Sequence, residues 1–176
     1  MIKNVHYFYL LKYKINIIKR IIMENYIYKA ANEKDIKFIT EIRIEVLKSA
    51  NNLDKNINMD NIFDETYNYY LNNINKNNIT YLIFNNIEFI GCGSICFYDI
   101  MPTYHNPSGN KAYIMNMYTR ENHRRKGIAK NILNLLIKEA KNRGVKYIQL
   151  EATDIGKKLY KNYGFIELEN EMEFRI

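Results

Sequence analysis

The sequence predicts a single α/β domain with a mixed sheet. Three observations predict it. A chain of 176 residues is the size of one hydrophobic core. From Met23 onward the apolar pattern switches between period two and period 3.6, and no stretch repeats. A composition of 47% hydrophobic and 26% charged residues with 2 Pro and 7 Gly belongs to a globular chain. The Asn residues are interleaved with Ile, Tyr and Leu, a compositional bias rather than a low-complexity tail.

Residues 1–22, MIKNVHYFYLLKYKINIIKRII, stand apart from this domain. Lys interrupts every apolar run, so they are too broken to span a bilayer or serve as a secretory signal. They read as a basic amphipathic appendage or as a leader that is not native, with residues 23–176 as the domain proper. They also carry much of the charge. The chain has 26 bases and 19 acids, net +7; five bases and no acid lie in residues 1–22, which leaves 21 bases against 19 acids beyond them. A near-neutral domain with one short basic cluster lacks the stripe that tracking phosphates of a nucleic acid requires, so no nucleic-acid partner is expected. Nothing argues for membrane contact, and a homodimer is compatible with the chain.

Tyr26–Ala30 reads as a first strand. Asn32 followed by Asp35 is a helix-capping pair, and Ile36, Ile39, Ile42 and Val46 then share one helical face as far as about Ser49. Residues 61–74 form a second helix, with Phe63, Tyr67, Tyr70, Leu71 and Ile74 at helical spacing. Residues 79–84 and 87–98 are β-prone runs separated by Asn85 and Asn86, which tolerate a tight hairpin turn. Both Pro residues fall in a loop at 102–110, and a further strand follows at 111–118. Cys92 and Cys96, four apart on one strand, share a face and cannot bridge each other. With no second Cys pair or His pair nearby they make no metal site, and buried thiols in a reducing cytoplasm are the expectation.

After the strand at 111–118 comes Arg124, Arg125, Lys126, Gly127, Ile128 and Ala129, opening a helix with Ile128, Ile132, Leu135, Leu136 and Ala140 on one face and Gly144 as its stop. Successive backbone N–H groups at a helix start, beside three cations, make an anion cradle. Gly127 lets backbone approach a phosphate, and Ala129 keeps that approach uncrowded. On four residues alone a solvated basic turn would serve as well. Downstream lie a strand at 146–152, a helix from about Asp154 to 162, and then Tyr160-Lys161-Asn162-Tyr163-Gly164-Phe165.

The pattern Arg-x-x-Gly-x-Ala after a strand resembles the acyl-coenzyme A pyrophosphate loop of the GNAT superfamily of N-acetyltransferases. Ile114-Met115-Asn116-Met117-Tyr118-Thr119 is similar to that family's fourth strand, and Tyr160 stands where the family often places a Tyr beside the coenzyme sulfur. The resemblance covers 26–176. It implies a central, mostly antiparallel sheet of six to seven strands flanked by about four helices. It also implies transfer of an acetyl group from acetyl-CoA, as co-substrate and without a metal, to a primary amine by direct attack in a ternary complex. Met117, Tyr118 and Thr119 would hold the pantetheine arm and polarise the thioester, residues 124–129 the pyrophosphate, and Tyr160 would protonate the departing thiolate. Asp154 stands where many members have Asn, and Tyr113, Met115 and Met117 supply none of the acids that some relatives use as base. Glu151, at a strand end, is the candidate to take the amine proton through water; a solvated carboxylate is its plainer reading. The acceptor, a small-molecule or peptide amine, is open, with 50–60 and 102–110 as segments that could line its site. A dinucleotide fingerprint would need three spaced glycines where there is one, and the Walker pattern is absent. The alternative is a non-catalytic module that senses acyl-coenzyme A or binds a partner.

Overall fold

The computed structural model describes residues 26–169 and 171–174; the appendage expected at 1–22 lies outside them. One five-stranded sheet runs in chain order, β1 (Tyr26–Ala30), β2 (Asn78–Asn85), β3 (Glu88–Asp99), β4 (Asn110–Thr119) and β5 (Tyr147–Leu150). The first four strands are antiparallel neighbours, and β5 joins β4 in parallel. Helices α1 (Ile36–Ala50) and α2 (Asp60–Asn73) cover one face; α3 (Ile128–Asn142) and α4 (Asp154–Tyr163) lie on the other.

Strand alternation divides the core accordingly. Ile79, Ile83, Ile95, Ala112 and Ile114 meet Ile132, Leu133 and Leu136 of α3, while Leu82, Phe89 and Cys92 meet Ile39, Ile42 and Val46 of α1. Burial of these aliphatic side chains, each contributing about 1.5–3 kcal/mol, fixes the strand register. Asn32 forms the expected capping box with Asp35 ahead of α1.

The structure corrects several expectations. The sheet has five strands among the described residues rather than six to seven. The segment after Phe165 alternates Ile166, Leu168, Met172 and Phe174 with Glu167, Glu169, Glu171 and Glu173, yet among the described residues no strand pairs with it, and Ile166 is 81% exposed. Period two alone does not make a strand without a ladder partner. The hairpin turns at Asn86 and Ile87, one residue later than expected, because Asn85 pairs with Glu88 and it is Asn86 that takes φ +54°. The helix expected from about Asp154 is capped one residue earlier, by Thr153, its hydroxyl accepting from the Gly156 N–H. β5 is shorter than 146–152, for reasons that matter to the site.

Candidate functional site

β4 and β5 pair only from Lys111 with Tyr147 to Ile114 with Leu150. Beyond that point β4 continues to Thr119, while the chain after β5 turns away into the cap of α4. What drives them apart is a bulge in β4. Cys92 pairs with Tyr118 and Ser94 with Met115, so three steps on β4 face two on β3. Asn116 absorbs the extra residue at φ +58°, a left-handed conformation that Asn tolerates better than most residues. Opposite it, Gly93 leaves room that a side chain would fill: an added Cβ would run into the Ile132 methyl of α3 and sit 2.6 Å from the Met117 sulfur.

The divergence opens a cleft of about 860 Å³. Its walls come from Met117, Tyr118 and Thr119 of β4, the loop and first turn of α3, the first turn of α4 with Tyr160, and Val46, Ser49, Ala50 and Asn52 at the end of α1. The N–H of Arg120 bonds to the Ile90 carbonyl on β3. Strand alternation therefore turns the backbone groups of Thr119 and Met117 to the opposite edge, toward the cleft. The hydroxyl of Thr119 is buried with no hydrogen-bond partner among the described residues.

The loop before α3 turns twice through left-handed conformations, at Arg125 (φ +62°) and Gly127 (φ +83°). The bonds in this stretch are Arg124 N–H to the Glu121 carbonyl and Asn131 N–H to the Gly127 carbonyl, so the N–H groups of residues 125–130 have no partner among the described residues. No side chain caps α3 either. Six consecutive free donors at the positive end of a fifteen-residue helix, with nothing within 4 Å of a Cβ built on Gly127, form a concavity for an anion. Arg124 braces the loop by donating to the Thr119 carbonyl and pairing with Glu121 at 3.2 Å. Arg125, Lys130 and Lys158 also line the cleft.

Tyr160 lies on the far side of the same cleft, 8% exposed. Its position follows from the Gly-Phe pair. Gly164 takes φ +113°, its N–H bonds to the Lys161 carbonyl, and the Phe165 N–H bonds to the Tyr160 carbonyl at 3.0 Å, a Schellman cap. Phe165 then meets the Tyr160 ring edge-on at 5.9 Å. Gly156 gives that ring space, since a Cβ there would be 3.0 Å from it. The Tyr160 hydroxyl has no partner among the described residues, and burial pushes its pKa above the usual tyrosine value.

All nine residues expected to bind cofactor, Met117, Tyr118, Thr119, Arg124, Arg125, Lys126, Gly127, Ile128 and Ala129, belong to this region, and all but Lys126 line the cleft with Tyr160. Glu151 is exposed, beside Tyr113, and lines neither this cleft nor the cavity described below. The sequence reading missed the end of α1, His123 and Thr153. It named Asn116 only as part of a strand, although an Asn inside a Met- and Ile-rich β run is itself a bulge signal. Residues 102–110 line neither cavity; within 50–60, Ala50 and Asn52 line the cleft.

The model of the acetyltransferase (GNAT) family matches residues 45–165. The chain belongs to the GNAT acetyltransferase family. A GNAT relative of solved structure, a predicted acetyltransferase of Clostridium acetobutylicum crystallised with acetyl-CoA, is 34% identical. It is matched over 85% of this chain and 96% of its own, with TM-score 0.78. A GCN5-related N-acetyltransferase from Ralstonia eutropha JMP134 shares the GNAT fold at 18% identity, with 86% and 98% coverage and TM-score 0.74. An uncharacterised N-acetyltransferase, YsnE of Bacillus subtilis, is 35% identical over 83 residues, 44% of this chain. That match spans about half (49%) of YsnE. Among the described residues no helix is long and apolar enough to cross a membrane, and no three His, Cys, Asp or Glu side chains gather as a metal site.

Proposed function

We propose that the chain is an acetyl-CoA-dependent N-acetyltransferase that acts on a primary amine. One observation carries the proposal: the turn at the start of α3, whose amides at 125–130 have no partner among the described residues, and the similarly unpartnered phenol of Tyr160 line one cleft. Bound acetyl-CoA would supply the activated acetyl group. The residues present fit it, because the free N–H groups, the loop cations, the open space at Gly127 and the orphaned Thr119 hydroxyl are all satisfied by a diphosphate followed by an amide-bearing arm.

The α3 turn binds the diphosphate through residues 125–130, and the cleft edge of Met117 and Thr119 aligns the arm as an added strand. An amide near Tyr118 polarises the thioester carbonyl. Tyr160, kept protonated by burial, delivers its proton to the leaving sulfur. Glu151 stands outside both linings, so its carboxylate reaches the amine only through water, which is the role proposed for it. Cys92 is fully buried, its thiol donates to the Asn116 carbonyl, and burial raises its pKa far above the usual value; it serves the bulge rather than an acyl-enzyme step.

Release of free thiol from acetyl-CoA with a panel of amines tests the reading. Thiol that appears only when an amine is present, together with N-acetylated product by mass spectrometry, supports the enzyme. Tight acetyl-CoA binding with no turnover on any amine class would instead favour a sensing module.

A further inference from the structure

On the α1 and α2 face, behind the bulge, lies a second cavity of about 330 Å³, at the small end of the range for ligand sites. Its wall includes Arg43 from α1, Glu65 and Tyr69 from α2, Ser94 from β3, and Met115 and Asn116 from β4. The next residue along β4, Met117, lines the cofactor cleft, so the bulge is the partition between the two spaces.

The hydrogen bonds around this cavity leave an imbalance. Most of its polar floor is satisfied internally: Thr80 bonds to the Asn78 side-chain carbonyl at 2.9 Å and to the Ser94 hydroxyl at 2.8 Å. Asn116 is not. It is 7% exposed, and its Nδ2 has no partner among the described residues. Arg43, half-buried, has no ion pair among the described residues, and its hydrogen bond to Asn116 Oδ1 is long at 3.4 Å. A buried amide donor and an unneutralised guanidinium, side by side, are complementary to a planar anion with two oxygens. Glu65, on the same wall, is an exposed carboxylate with no hydrogen bond or ion pair among the described residues.

We infer that the acceptor is a free α-amino acid whose carboxylate is held by Arg43 and Asn116. The inference rests on the acetyltransferase reading and names its substrate class. The geometry selects the α-amine in particular: Arg43 touches Asn116, and Asn116 adjoins the cofactor cleft, so a carboxylate held there brings an amine on the neighbouring carbon to the partition. An amine several bonds away would be carried off from it. Glu65 draws the ammonium form into the cavity and disfavours acidic side chains. In the reaction the ammonium gives up two protons and its nitrogen bonds to the acetyl carbon as the carbon–sulfur bond breaks. One proton reaches the sulfur through Tyr160 and the other passes through water to Glu151 and on to solvent.

The test is initial-rate thiol release with the common free amino acids, their carboxamides and n-butylamine, alongside calorimetric titration of acetyl-CoA. At least one amino acid should be used with a kcat/KM 100-fold or more above its own amide. Arg43→Gln should reduce that acid-to-amide ratio below tenfold while acetyl-CoA affinity stays within twofold. Arg43→Lys, which keeps the charge but loses the fork, should fall between. Equal use of acids and amides, turnover of n-butylamine alone, or a ratio unmoved in Arg43→Gln would overturn the inference. Acetyl-CoA binding without turnover of any amino acid would overturn it alone, whereas failure of acetyl-CoA to bind would remove the parent reading with it. If Arg43→Gln does not fold, the wild-type acid-to-amide ratio decides.

Discussion

Replacing Gly127 by alanine and, in a second variant, by asparagine separates two reasons for a glycine at this turn. The residue holds φ +83°, where an L-residue costs roughly 1–2 kcal/mol, and Asn costs less because it enters the left-handed region more readily. No clash adds to this, since a Cβ at 127 meets no heavy atom within 4 Å. Alanine should therefore lower Tm by roughly 2–8 °C at about 2–4 °C per kcal/mol for a domain of this size, and asparagine by less. Binding should behave differently. The space open to that Cβ adjoins the free amides, so either side chain displaces a diphosphate seated there. Coenzyme A affinity should fall about tenfold or more, ~1.4 kcal/mol, in both variants. Thermal unfolding and isothermal titration with free coenzyme A read the two effects separately. If asparagine restored both stability and affinity, the glycine would serve backbone conformation alone; wild-type affinity in both variants would refute the cradle.

Tyr160→Phe should lower kcat by roughly 10²–10⁴-fold, the usual range for a lost general acid, while acetyl-CoA affinity changes less than twofold; steady-state kinetics and titration check the split. Gly127→Asp, which adds a negative charge to the turn, should abolish coenzyme A binding, and titration measures it directly. Gly93→Ala should cost about 1–3 kcal/mol by driving a methyl group into Ile132 of α3 and Met117, and turnover should fall with it, as denaturant unfolding and rate assays would show. Burial and then the nearby Cys92 push Tyr70 up to about 12, and burial raises Tyr160. Both folded pKa values lie above the unfolded value near 10, so the stability they protect is whole below pH ~10 and lost as pH rises beyond it, through about 12 for Tyr70. Tm measured from pH 8 to 11 should hold and then fall; a Tm that rises above pH 10 would contradict this.

Elements whose signal is local were legible in the sequence. The Asn32–Asp35 box, the apolar face of α1 and the Gly144 stop each rest on contacts within one turn, and each lies where its residues suggested. The α3 turn was legible because its cations and glycine are contiguous. What escaped depends on long-range pairing. The bulge at Asn116 exists only against β3, and the approach of the α1 end to the cleft depends on where the sheet carries it. The Arg43–Asn116 contact joins residues 73 apart, which no periodicity reveals. The segment after Phe165 shows the converse, an alternation with no strand beside it.

The most direct test is the backbone amide spectrum of ¹⁵N-labelled protein titrated with coenzyme A. The amides of residues 125–130 should undergo the largest shifts, together with those of Met117 and Thr119, and Tyr160 ring resonances should move with the same saturation curve. Shifts that leave residues 125–130 in place while coenzyme A binds elsewhere would contradict the account.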